Sequence, residues 1–212
     1  MVQTILSYLE MVANNNLFLN LSMHIVVLMA LIAAFFGTKE KIRRFIFHVS
    51  LSTLFLSVTA TALVFGNPFH AITFGLLALT ALIQLFVSKQ SIEISKSKWS
   101  VIIALLFIFI GLWYPEFVKQ NALVLLMVSP VGAVPCPTLL TALGLLILIS
   151  PSVNRAQYLV TIMMGLVYGI IGVAVLKVYL DITLLVLALY AVYIYLKNFT
   201  RYAPSNNVLV NR

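Results

Sequence analysis

Apolar residues run along this chain in long blocks separated by short polar clusters. A bilayer core about 30 Å thick needs roughly 20 apolar residues per helix, within a range of about 17 to 25. On that measure the pattern predicts spans at 17–37, 45–66, 69–88, 99–114, 120–149, 158–177 and 182–197. The expected fold class is therefore all-α: a polytopic membrane helical bundle of about seven transmembrane helices. Ahead of the first span, Val2, Ile5, Leu6, Leu9 and Val12 recur at helical spacing opposite Gln3, Ser7 and Glu10, which predicts a short amphipathic, interfacial helix over 1–16.

The fifth block is too long for one straight helix, and it is interrupted. Between Ser129 and Thr138 stand Pro130, Pro135 and Pro137, with Gly132 and the chain's single cysteine, Cys136, among them. Each proline removes a backbone donor and clashes with the preceding turn, so the helix must break between Pro130 and Pro137. In hydrocarbon a break is tolerated only where protein or trapped water satisfies the freed carbonyls, and such breaks often line binding sites or pathways. Two geometries fit the block: two half-helices that together cross the membrane, or a re-entrant hairpin.

Composition narrows the class. With 63% hydrophobic and 8% charged residues, the chain departs far from a soluble domain, which carries about 25% charged residues. A single integral membrane domain is expected over 1–212, with a polar tail at 198–212. Residues 1–12 hold no Lys or Arg and lack the charged region and cleavage site of a signal peptide, so they are expected to remain in the mature chain. The net charge of +8 does not point to nucleic acid, because most basic residues lie in short loops beside apolar spans. There they set orientation, cytoplasmic loops being enriched in Lys and Arg.

Seven crossings with the N-terminus outside put Lys39, Lys41, Arg43, Arg44, Lys89, Lys96, Lys98, Arg155, Lys197, Arg201 and Arg212 inside, and leave Lys119 and Lys177 outside. A re-entrant fifth segment would move the last four of the first group outside. The charge bias favours the full crossing, a plasma-membrane protein with an external N-terminus and a cytoplasmic C-terminus.

Few residues carry chemistry. Ser129, Gly132, Cys136, Thr138 and Thr141 surround the break, where a new half-helix offers free amides to an anion or a dipole; they are the expected solute-binding residues. The other reading of Cys136 is a small apolar thiol filling a kink. Asn20 and His24 share a helix face in the first span, and His24 joins the candidate set as a soft-metal ligand or proton relay, or else as an interhelical hydrogen-bonding group. His48 and His70 open the second and third spans at the interface. The acids Glu10, Glu40, Glu93, Glu116 and Asp181 all fall outside the spans or at their ends, which argues against a proton-coupled transporter. A lone cysteine excludes an internal dithiol. No metal site, catalytic set or cofactor is expected. Gly165, Gly169 and Gly172 form a packing face on the sixth span, toward a neighbour in the chain or toward a homo-oligomer or larger membrane complex.

Residues 134–146, Val-Pro-Cys-Pro-Thr-Leu-Leu-Thr-Ala-Leu-Gly-Leu-Leu, resemble the Gly-Leu-Pro-Cys-Pro-Thr-rich signature of a prokaryotic multi-pass membrane family of unknown function. Tyr114-Pro115 before the signature, and Gly169, Gly172 and Asp181 after it, extend the likeness over the last hundred or so residues. It implies an integral membrane protein and no activity. Pro-Cys-Pro is also similar to a segment of nickel and cobalt efflux permeases, whose histidine- and aspartate-rich motifs are missing here, and more loosely to membrane thiol carriers, which need two cysteines. The reading that follows is a non-enzymatic transporter or channel-like permease for a small solute or ion at the broken helix. The alternative is a non-catalytic accessory subunit of a larger membrane complex.

Overall fold

The computed structural model describes residues 2–37, 39–87 and 91–200. The chain forms α1 (Val2–Asn15), α2 (Leu17–Phe36), α3 (Glu40–Val64), α4 (Pro68–Val87), α5 (Lys98–Leu112), α6 (Ala122–Val128), α7 (Pro135–Leu148), α8 (Arg155–Ile170) and α9 (Ile182–Tyr195). A π-helical turn, Ile171–Leu176, prolongs α8, and a 3-10 turn, Tyr179–Asp181, leads into α9. No strand occurs among the described residues. The expected tail lies outside the described residues from 201 onward, as do Lys89, Arg201 and Arg212.

Three helices, α2, α3 and α4, and the stretches Arg155–Leu176 and Tyr179–Asn198 are long and apolar enough to cross a membrane. Their outward faces carry bare Phe18, Phe36, Val64 and Phe86. An apolar surface this extensive is foreign to water-soluble monomers and ordinary against lipid, so the protein is a membrane helical bundle. Two helices, α5 with 15 residues and α7 with 14, are shorter than those five.

The break divides the fifth block unequally. Every residue of α7 is buried; a helix apolar all round belongs in the interior, and α7 is enclosed by α5, α8, α9 and α3. It runs antiparallel to α5: the Ser95 amide donates to the Leu148 carbonyl at 2.8 Å, while the Gly111 backbone sits against Pro137 and Thr141 at the opposite end. The preceding half, α6, stays at the end where α5 finishes, since the Asn20 side chain near the start of α2 donates to the Val128 carbonyl at 3.1 Å. The two halves are thus a short peripheral helix and a buried central one.

At that same end lies α1. It is helical as the periodicity predicts, but its apolar stripe faces protein: Leu9, Val12 and Ala13 pack with Val118, Leu125, Ala133 and Val134. Asn14 fastens it to the loop after α5, donating to the Phe117 carbonyl at 2.8 Å, and Lys119 pairs with Glu10 at 2.5 Å. That ion pair is exposed and adds little. The sixth helix starts earlier than the apolar pattern indicates, at Arg155, because the Asn154 side chain caps it, accepting from the amides of Ala156 and Gln157 at 2.9 and 3.2 Å.

Candidate functional site

Breaking a helix inside a bundle frees backbone groups that must find partners. The side chains around the break supply them. Thr138 Oγ1 accepts from the Gly132 amide at 2.7 Å and donates to the Val134 carbonyl at 2.7 Å. Ser57 of α3 donates to the Gly132 carbonyl at 2.5 Å. Ser129 Oγ donates to the Gly111 carbonyl and accepts from the Tyr114 amide, at 2.9 and 3.1 Å. Thr141 donates back to the Pro137 carbonyl at 2.9 Å. Pro135 occupies the first turn of α7, where its missing donor costs nothing.

Of the residues expected to bind solute, Ser129, Thr138 and Thr141 are therefore engaged with backbone, and all three are fully buried. Gly132 has φ +81° and lies against Met23. His24 is elsewhere: its Nδ1 is 2.8 Å from the Asn20 carbonyl and its Nε2 is 3.1 Å from the Leu112 carbonyl, tying α2 to the C-terminal end of α5. A neutral ring can donate to only one of these carbonyls, a protonated ring to both. The packing glycines are occupied within the chain: Gly165 against Leu143, Leu184 and Ala188, and Gly169 against the backbone of Leu185.

The structural role of Thr138 is directly testable. Thr138→Val orphans the Gly132 amide and the Val134 carbonyl in a dry interior, and an orphaned buried group costs about 1–3 kcal/mol. Thermal unfolding in detergent is expected to fall clearly for Thr138→Val and to stay near wild type for Thr138→Ser, which keeps the hydroxyl.

Cys136 is the member of the set that meets open space. It sits at the floor of an apolar cavity of about 270 Å³. Ile5 and Leu9 of α1 roof it, and His70, Tyr168 and Gly172 form part of its wall. In that wall Tyr168 Oη is 2.8 Å from Thr73 Oγ1 and 2.9 Å from His70 Nδ1. Thr73 also reaches the Phe69 carbonyl at 2.8 Å, which takes its only proton. Tyr168 then donates to Thr73, and His70 Nδ1 donates to Tyr168.

Behind Cys136 lies the residue that the linear pattern puts in a loop. Asp181 does precede α9, yet it is only 1% exposed. The Tyr114 hydroxyl donates to its Oδ1, and Cys136 is an electrostatic neighbour of the same carboxylate. Gly172 allows this approach, because a Cβ there would overlap Oδ2. Asp181 thus stands at the end of a span, as expected, and is nevertheless buried: height along a helix says nothing about which way the acid turns, and Asp181 turns inward. Tyr114, Cys136 and Asp181 come from the loop after α5, the start of α7 and the turn before α9, so three separate parts of the chain converge on the break.

No metal-holding group of three His, Cys, Asp or Glu side chains exists among the described residues. No protein-family description, curated protein or solved structure matches this chain.

Proposed function

We propose that this protein is a small-solute permease whose solute site is the apolar cavity at the broken helix, with Cys136 at its floor and Asp181 and Tyr114 behind. The observation that carries this reading is the cavity itself, which reaches from the edge of the bundle to the one place where the central helix gives up regular structure. Pockets of this kind, mostly apolar with a few convergent polar groups, are where small molecules bind. A buried carboxylate in a membrane bundle is costly and marks a pathway or relay by default. Its apolar lining suits a small, weakly polar molecule better than a bare ion.

Orientation follows from charge. Lys39, Lys41, Arg43, Arg44, Lys96, Lys98, Arg155 and Lys197 lie beside the helix ends remote from α1, and Lys119 and Lys177 beside the near end. The positive-inside bias then orients α1 and the cavity outward, in the plasma membrane.

The test uses the native thiol, which needs no cysteine removal. A small, membrane-impermeant methanethiosulfonate reagent is expected to label Cys136 in intact cells and to fail in inverted vesicles. Ile5→Trp, which fills the roof of the cavity, is expected to slow labelling at least tenfold. Labelling that appears only after detergent denaturation would mean a packed kink and would overturn the permease reading in favour of an accessory subunit.

A further inference from the structure

At the end of the bundle remote from α1, a second recess of about 360 Å³ opens between the segment leading into α5, the turn after α7 and the end of α9. Its chemistry differs from that of the cavity at the break. Lys96 and Lys197 line it with Ser97, Ser150 and Asn198, and Glu93 is the one carboxylate among the described residues of its lining. Ser150 is 1% exposed; its Oγ accepts from Asn198 Nδ2 at 3.1 Å, and no acceptor for its own proton stands among the described residues. Ser97 likewise accepts, from the Ser100 amide at 3.3 Å, and has no described acceptor for its hydroxyl proton. The recess also sits at the N-terminus of α5, whose first amides have no partner inside the helix and whose dipole favours negative charge. Lysine, hydroxyl and amide donors thus outnumber the one carboxylate that the described residues bring to this space.

Position identifies the acceptor. Trp99, 73% exposed, and Tyr193, 55% exposed, flank this end, and such aromatic rings mark the headgroup level of a bilayer. Lys197, which lines the recess, holds its ammonium 5.9 Å from the centre of the exposed Tyr193 ring. Among the described residues of the lining, two lysines against one glutamate leave a single positive charge, which suits a phosphodiester monoanion better than a phosphate dianion.

We infer that this recess binds the phosphodiester of an anionic lipid headgroup. Basic pockets between helices on the cytoplasmic side of membrane proteins hold anionic headgroups by such donor sets. The site is independent of the cavity at Cys136 and stands whether or not that cavity carries solute.

Purified full-length protein in mild detergent would be titrated with phosphatidylglycerol, phosphatidylcholine or inorganic phosphate, and binding read by native mass spectrometry and by the shift in thermal unfolding. Phosphatidylglycerol is expected to be retained and to raise the unfolding temperature. Phosphatidylcholine and millimolar inorganic phosphate are expected to do neither. Lys96→Ala/Lys197→Ala should weaken phosphatidylglycerol binding roughly ten- to thirtyfold, and Ser150→Ala should weaken it severalfold. Lys39→Ala/Lys41→Ala, which removes the same charge from the start of α3, should leave it near wild type. Equal losses in the two lysine pairs would reduce the effect to general surface charge and overturn the site. Stabilisation by inorganic phosphate without retention of lipid would make it an ion site and overturn the lipid assignment.

Discussion

The Gly172→Ala variant is expected to lose most of its folded yield. The added Cβ would lie within the Asp181 carboxylate, which has nowhere to retreat. It is buried, and the Tyr114 hydroxyl donates to it. Overpacking of a dense interior costs about 1–3 kcal/mol, and here the displaced group is a carboxylate whose hydrogen bonds would break as well. Against a total stability of about 5–15 kcal/mol, the variant should show a sharply lowered melting temperature and a large aggregated fraction in size-exclusion chromatography. The contact makes a second, stricter expectation. Asp181→Gly alone should destabilise by orphaning the Tyr114 hydroxyl, about 1–3 kcal/mol, but Gly172→Ala/Asp181→Gly should be no worse than Asp181→Gly, because the new Cβ would meet the Asp181 Cβ as well as its carboxylate. Residues in direct contact are non-additive in this way. Additive losses would show that the two positions do not meet.

The Gly132→Ala variant carries the other large effect, for two separable reasons. Its φ of +81° is strained for any residue with a Cβ, at a cost of order 1–3 kcal/mol. The new methyl would also collide with the side chain of Met23 and press on the Ser57 hydroxyl that satisfies the Gly132 carbonyl. Met23→Ala should therefore recover only part of the loss in a Gly132→Ala background, with the backbone share remaining. Full recovery would mean that Gly132 serves only to make room. No recovery, with Met23→Ala itself mild, would mean that the turn conformation is everything.

The long elements were legible in the sequence because lipid imposes a one-dimensional rule. The second helix, α2, expected over 17–37, is Leu17–Phe36, and the break falls among the three prolines as their missing donors require. Burial was not legible. Ser129, Thr138 and Thr141 read as groups facing a solute, since the same hydroxyls that would bind one also repair the backbone that the prolines leave open, and sequence does not say which way they point. His24 has the composition of a site residue and the location of a brace. Asp181 was hidden by its own position, because hydropathy registers a charged residue just outside an apolar run as a loop residue. The available signal was its partner: the glycine at 172, placed so that the turn back from α8 to α9 can bring the carboxylate against it. The recess at the opposite end was illegible for a different reason, its donors coming from segments far apart in the chain.

The complete enclosure of α7 has a consequence for how the protein is made. A helix sheltered from lipid has no hydrophobic thickness to match, so its 14 residues, about 21 Å at 1.5 Å each, are sufficient inside a bundle whose outer helices face a core of about 30 Å. Part of that sheath, α8 and α9, is synthesised after α7 itself. As it emerges from the ribosome, α7 is too short to settle in lipid unaided, and these two helices have not yet been translated. Its surroundings are complete only once α8 and α9 have been synthesised.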